Sequence, residues 1–313
     1  MFKSRIFSRV AKGIRKQFLI ALKYGPQASL DELINIKRAW SLQETTISFP
    51  EVRSSISGVG SYLAICSLAQ KRDDVYQKFK SCKEYTEILE HVSRELGHKY
   101  LGILEEDEWI LSHLSQLLES DIGSPQRYTY PGLGRIAPSY LRYAKVAGDL
   151  YSLFGSLDGF NIAEIGVGYG GQCVTLGKLF DMNNYELFDL EPALGLANKY
   201  IQNTRLNISI GNHTAPIKLP NKCDLLISNY AFSELVRNLQ DDYFTKIIQS
   251  SMRGYVIYNH ISPPEFRSLT AKEFASKIPG AEIFREIPIT HPENVLVVWG
   301  HHKTLNEKRF VRI

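Results

Sequence analysis

Apolar and charged positions change their rhythm near residue 130 of this 313-residue chain. From Ser29 to Ser120, stretches such as SLDELINIKRAW, KRDDVYQKFKSC, CKEYTEILEHVSRELGHKYLGIL and EDEWILSHLSQLLES place apolar residues three and four apart, the period of a helix with one buried face. Further on, short apolar runs alternate with helical ones: FNIAEIG, GQCVTLGKLF, YELFDL, PALGLANKYIQN, CDLLISN, LQDDYFTKIIQSS, GYVIYN and LTAKEFASKI. Strands alternating with helices predict an α/β fold, a mostly parallel sheet with helices on both faces. Thr270 and Glu273 have the spacing of a capping box at the start of the last helix. The spacing of AEIFREI, THPEN and VLVVWG then predicts a terminal hairpin, and with it one antiparallel strand.

Two segments stand outside this rhythm. Residues 120–140, SDIGSPQRYTYPGLGRIAPSY, are rich in Gly, Pro, Ser and aromatics, and read as the loop that joins the two halves. Residues 1–28 predict a basic amphipathic helix: Phe2, Ile6, Val10, Ile14 and Phe18 recur every four residues, and Phe7 and Leu22 widen the stripe. Such a helix packs on the body of the protein or lies on an anionic membrane surface through residues 1–23. Charges interrupt its apolar run and no small-residue cleavage site follows, so it is not expected to be a signal peptide. The resulting division is 1–28 amphipathic helix, 29–125 helical domain, 126–303 α/β domain and 304–313 C-terminal tail.

Charge and cysteine usage narrow the class. Residues 1–30 hold seven basic residues and no acid, which against a chain total of +4 leaves the remainder near −3. That body is not expected to bind nucleic acid. Cys66, Cys82, Cys173 and Cys223 form no CxxC pair and have no histidine at ligand spacing, so a reducing cytoplasm and no metal are expected. His301 and His302 are adjacent at a strand end, where they point to opposite faces.

The chemistry centres on NIAEIGVGYGGQC, residues 161–173, where an apolar strand enters a glycine cluster. Ligands of open α/β sheets collect at the carboxyl ends of the strands. Gly166, Gly168 and Gly171 satisfy the dinucleotide spacing, a weak signal alone. Glu164 at the strand end suits a cationic or hydroxyl-rich ligand better than a pyrophosphate. Asp189, ending YELFD, is placed to accept hydrogen bonds from ribose hydroxyls, a feature shared by NAD and S-adenosylmethionine sites. The late hairpin is generally absent from dinucleotide-binding sheets.

EIGVGYGGQ, YELFDLEP, CDLLISNYAFSEL, GYVIYNHIS and ENVLVVWGH, in this order and spacing, resemble the class I S-adenosylmethionine-dependent methyltransferases, and more narrowly the sugar O-methyltransferases of bacterial surface polysaccharide synthesis. The resemblance covers roughly residues 125–302 and implies a Rossmann-like seven-stranded sheet, mostly parallel with an antiparallel terminal strand, preceded by an N-terminal helical domain. Glu164, Gly166, Gly168 and Gly170 match the loop that cradles the donor's amino-acid portion, and Asp189 matches the ribose acid; Asn229 is grouped with them. SIGNHTAP, after the third strand, is where the adenine contact is expected, without one residue standing out.

Methyl transfer to a hydroxyl needs a base near the strand ends. His260, in YNHIS, is the candidate, with Glu234 as its orienting partner or its replacement. The alternatives are that Glu234 caps a helix and His260 is an ordinary loop residue. Arg142, Tyr230 and Asn259 are candidates for the acceptor, a sugar, nucleotide sugar or glycan; Tyr143, beside Arg142, is expected to pack on its helix face. Arg135 fits either an acidic acceptor or solvent. Ser228, Asn229, Tyr230 and Ala231 stand where base-methylating enzymes carry paired prolines, which argues against DNA-base chemistry. Two other classes stay open, an NAD-dependent oxidoreductase and a non-catalytic scaffold.

Overall fold

The computed structural model describes residues 16–17, 19–42, 53–58, 60–117, 121–302 and 305–313. An N-terminal layer contains α1 (Pro26–Arg38), α2 (Tyr62–Lys71), α3 (Arg94–Glu105) and α4 (Glu108–His113). A hairpin of β1 (Tyr128–Tyr130) and β2 (Gly134–Ile136) leads into the long helix α5 (Pro138–Phe154). The α/β region follows as β3 (Asn161–Ile165), α6 (Gly171–Leu179), β4 (Asn184–Phe188), α7 (Glu191–Gln202), β5 (Ser209–His213), β6 (Leu225–Asn229), α8 (Arg237–Lys246), β7 (Gly254–Tyr258), α9 (Ala271–Ser276), β8 (Glu282–Arg285) and β9 (Val295–Trp299).

Among the described residues, seven strands form one sheet in the order β5-β4-β3-β6-β7-β9-β8. Pairing is parallel from β5 to β7, and β9 runs antiparallel between β7 and β8. The Rossmann-like sheet and its single reversed strand are those expected from the sequence. Thr270 and Glu273 form the expected capping box on α9: the Glu273 N–H donates to Thr270 Oγ1 at 3.2 Å, and the Thr270 N–H to Glu273 Oε2 at 2.8 Å.

The inner strands β3, β6, β7 and β9 are mostly apolar because they are covered on both faces, whereas the edge strands β5 and β8 are more polar and partly exposed. Ile162, Tyr185, Leu187, Ile227, Tyr255 and Ile257 belong to a core shared with α2, α3 and α5. Ala163, Ile165, Leu226, Val256 and Val297 belong to a second core with Tyr243 and Phe274. The N-terminal layer therefore shares a core with one face of the sheet: α2 packs on α7, and α3 on α5.

Three local expectations change. CKEYTEILEHVSRELGHKYLGIL is not one helix: Ser93 takes an extended conformation and its hydroxyl accepts the Leu96 N–H at 3.1 Å, so α3 starts afresh at Arg94. The joining loop contains β1 and β2, strands too short to show a periodic signal. Most of the amphipathic segment 1–28 lies outside the described residues. Within it residues 19–24 are helical, and Gly25, at φ 86°, breaks the helix before Pro26 opens α1.

Helix α1 is docked by its polar side. Asp31 and Asn35 are buried while Leu30, Leu33 and Ile36 face outward. Asp31 accepts the Thr129 N–H at 2.7 Å and Arg135 Nε at 3.0 Å. Asn35 Nδ2 donates to the Arg127 carbonyl at 2.9 Å, and its Oδ1 accepts the Arg127 N–H at 3.1 Å.

The C-terminal tail is also anchored. Phe310 is buried, and Arg309 reaches Asp149 Oδ1 on α5 at 2.6 Å and also pairs with Asp107. Burial alone would raise the Asp149 carboxyl; Lys145 and Arg309 outweigh it and hold it below its ordinary range. No helix among the described residues is long and apolar enough to cross a membrane.

Candidate active site

A cavity of about 850 Å³ opens at the carboxyl ends of β3, β4, β6 and β7. Ile165 and Phe188 reach it from one face of the sheet, and four polar residues from the other. Glu164 continues the face of Ile162, Asp189 that of Tyr185 and Leu187, Asn229 that of Ile227, and Asn259 that of Ile257; all four line the cavity. The N-terminal layer supplies the opposite wall through Tyr62, Leu89, His91 and Tyr100, and α5 contributes Arg142 and Tyr143.

The glycine loop is built around left-handed backbone at Gly166, Gly168 and Gly170. The Gly168 N–H donates to Asp189 Oδ2 at 2.9 Å and the Leu190 N–H to Oδ1 at 2.7 Å. Burial pushes the Asp189 carboxyl up to about 6 despite these bonds. Burial raises Glu164 further, to about 8; the 2.7 Å hydrogen bond from the Tyr185 hydroxyl opposes the rise, and the Asp189 charge adds to it. Gln172 Oε1 and Asn229 Oδ1, on residues that also line the cavity, are buried without a hydrogen-bond partner. Glu164, Asp189, Gln172 and Asn229 thus supply acceptor oxygens, and such a set fits a ligand rich in hydrogen-bond donors or positive charge.

Gly166 and Gly168 line the cavity and Gly170 does not. Gly170 instead sits left-handed at the start of α6, where a Cβ would stand 3.0 Å from Ile201 Cδ1. Its requirement for glycine is structural. Of the SIGNHTAP stretch, Thr214 lines the cavity.

Near Asn259 the chemistry changes. Glu234 closes a short 3₁₀ turn and accepts Asn259 Nδ2 at 2.7 Å, while Val236 occupies the N-cap position of α8. Glu234 is therefore no helix cap, and burial raises its carboxyl above the ordinary range, only partly offset by Asn259. Ser233 Oγ donates to Asn259 Oδ1 at 2.8 Å and so fixes the amide. Tyr230, at φ 72°, lines the cavity and donates its hydroxyl to Glu286.

His260 takes the opposite face. It continues the parity of Val256 and Tyr258, is exposed, rests against the Tyr258 ring at 5.9 Å, and does not line the cavity. The histidines that do line it are His91 and His291, from segments without any motif. Desolvation, aided by the Arg142 charge, holds His91 below its ordinary pKa. Arg135 is committed to Asp31 and is absent from the cavity wall. Tyr143 is buried and also forms part of that wall.

The fold and cavity define a Rossmann-like α/β protein with a cavity at the carboxyl edge of its sheet. No family model and no curated protein matches the chain. It is similar to solved methyltransferase structures over about half its length. The methyltransferase domain of bacterial CtHen1 has 16% identity over 50% of this chain and 96% of that one, with a TM-score of 0.38. An rRNA methylase from Streptococcus thermophilus has 14% identity over 49% and 93%, with a TM-score of 0.38. The magnesium protoporphyrin IX methyltransferase of Synechocystis PCC 6803, solved with bound SAM, has 14% identity over 50% and 74%, with a TM-score of 0.38.

Proposed function

We propose that this chain is an S-adenosylmethionine-dependent O-methyltransferase whose acceptor is a sugar hydroxyl, acting in surface polysaccharide synthesis. The observation that carries the donor assignment is the set of acceptor oxygens on Glu164, Asp189, Gln172 and Asn229 around the glycine loop. A dinucleotide would bring its pyrophosphate against the largely ionised Asp189, where like charge opposes it. S-adenosylmethionine brings an ammonium group and two ribose hydroxyls, which such oxygens receive. Sugar as the acceptor class is supported by the resemblance of the strand-end motifs.

When bound, the donor supplies an electrophilic methyl group on a sulfonium. The chain's part is to hold the acceptor hydroxyl in line, keep water out and remove a proton. The N-terminal layer walls the site through Leu89, His91 and Tyr100. Glu234 takes the role of base: it lines the cavity, Asn259 orients it, and its raised pKa brings it nearer to that of a proton acceptor at neutral pH. Tyr230 and Asn259 position the acceptor.

The test is calorimetric titration with S-adenosylhomocysteine and, separately, NADH, repeated on Asp189→Ala. Micromolar binding of the homocysteine is expected, with a loss of about ten- to a hundredfold in the variant, as for removal of charge-assisted hydrogen bonds worth about 1.5–3 kcal/mol. Binding of NADH alone would turn the reading to an oxidoreductase, and binding of neither to a scaffold.

A further inference from the structure

We infer that Arg142 is an anion-binding residue of this cavity, taking a carboxylate or phosphate group of a bound ligand; the inference rests on the reading of the cavity as a methyl-transfer site. Arg142 is 9% exposed and lines the cavity from α5. Among the described residues, no carboxylate stands within ion-pair distance of its guanidinium. Its surroundings are tyrosines: the Tyr143 ring centroid is 5.4 Å from Cζ and its hydroxyl is a hydrogen-bond partner, and Tyr100 and Tyr230 are close enough to act on its charge.

Glu90, which also acts on Tyr143, accepts Ser139 Oγ at 2.7 Å and forms no ion pair with Arg142; two other nearby acids are committed elsewhere. Glu286 receives the Tyr230 hydroxyl and the Thr290 N–H, and Glu234 receives Asn259. A nearly buried guanidinium without a counter-charge is costly, and a bound anion offsets that cost. Its planar fork matches carboxylate and phosphate geometry. His91, close enough for its pKa to be lowered by Arg142, stands at the same wall.

The anion belongs either to the acceptor or to the amino-acid portion of the donor, and binding measurements on the full chain separate the two. Potassium acetate and inorganic phosphate are titrated into protein saturated with S-adenosylhomocysteine, at ionic strength held constant with chloride. Millimolar binding that weakens at least tenfold in Arg142→Gln and less in Arg142→Lys, with homocysteine affinity kept, assigns the residue to the acceptor. At least tenfold loss of S-adenosylhomocysteine affinity in Arg142→Gln, with 5′-methylthioadenosine affinity kept, assigns it to the donor carboxylate. Unchanged affinities for both nucleosides and unchanged or absent anion binding overturn the inference. Circular dichroism checks that Arg142→Gln is folded; Arg142→Lys, which keeps the charge and loses the fork, gives a second reading if it is not. Failure of the wild type to bind S-adenosylhomocysteine would sink the functional reading instead, and anion titration of the unloaded protein would still report on Arg142.

Discussion

The Tyr185 hydroxyl on β4 donates to the Glu164 carboxyl on β3 at 2.7 Å, from the position paired with Ile162, two residues back along the strand. The carboxyl is thereby held between a tyrosine and the cavity. Its pKa of about 8, against an ordinary 4.5, means that it is mostly protonated at pH 7 in the free protein. A donor ligand carrying positive charge draws it into the ionised form. S-adenosylhomocysteine affinity is therefore expected to rise with pH through about 6 and 8, the values for Asp189 and Glu164. Calorimetry from pH 5.5 to 8.5 reads this directly, and a flat profile would exclude titration of these two groups on binding.

The same shift has the opposite sign for the free protein. A carboxyl whose pKa is raised by folding binds more protons folded than unfolded, so its contribution to stability is lost as pH rises from about 4.5 to about 8. Glu164→Gln removes that titration. Its melting temperature should gain on the wild type as pH increases across this window, and parallel curves would show that Glu164 is not buried as a neutral acid.

Gly168 lies at φ 57°, and a Cβ there would meet Leu89 Cδ1 at 2.7 Å. Gly168→Ala should lower stability in urea unfolding by more than the roughly 1–2 kcal/mol that a left-handed alanine alone costs, because the Leu89 contact adds to it. Leu89→Ala in the same chain relieves the contact and leaves the backbone term. A double-mutant cycle on the two positions should therefore show partial rescue.

Glu234→Gln should lower kcat by about 10²–10⁴ while S-adenosylhomocysteine still binds, as expected for loss of a general base. His260→Ala should stay within about twofold of the wild type, because surface substitutions away from a site are usually near neutral. Transfer of a labelled methyl group to the accepted hydroxyl compound checks both. A loss confined to His260→Ala would restore the histidine as base.

Arg309→Gln removes the link from the C-terminal tail to Asp149 and Asp107. Asp149 keeps Lys145 at 2.5 Å and the Tyr255 hydroxyl at 2.6 Å. The cost in urea unfolding should sit near the lower end for a broken buried pair, about 3 kcal/mol. A change below about 0.5 kcal/mol would mean that the tail does not stabilise the fold.

The sheet was legible because its strands are short apolar runs separated by helices of regular period, and no distant contact is needed to see them. Glu164 and Asp189 were legible because each ends a strand beside a turn. The face that Asn259 takes was legible too, through parity: counting by twos from Tyr255 and Ile257 arrives at Asn259 and passes over His260. Residue chemistry favoured the histidine as base, whereas the structure leaves it exposed and off the cavity wall. His91, Tyr100 and His291 carry no local signal, since packing of the N-terminal layer and the β8–β9 connection brings them to the cavity. Arg135 looked free for a ligand because its partner Asp31 is 104 residues away.

Helix α1 has a thermodynamic consequence that follows from being docked by Asp31 and Asn35. Leu30, Leu33 and Ile36 are already about half exposed in the native state, so detaching this helix uncovers less apolar surface than releasing a helix docked by its apolar face would. Denaturant sensitivity and heat-capacity change both scale with the surface that unfolding uncovers. Release of α1 should therefore register weakly in urea titration and calorimetry, while amide exchange at Thr129, whose N–H Asp31 holds, reports it directly. The helix is a fastening that global unfolding curves weigh only lightly.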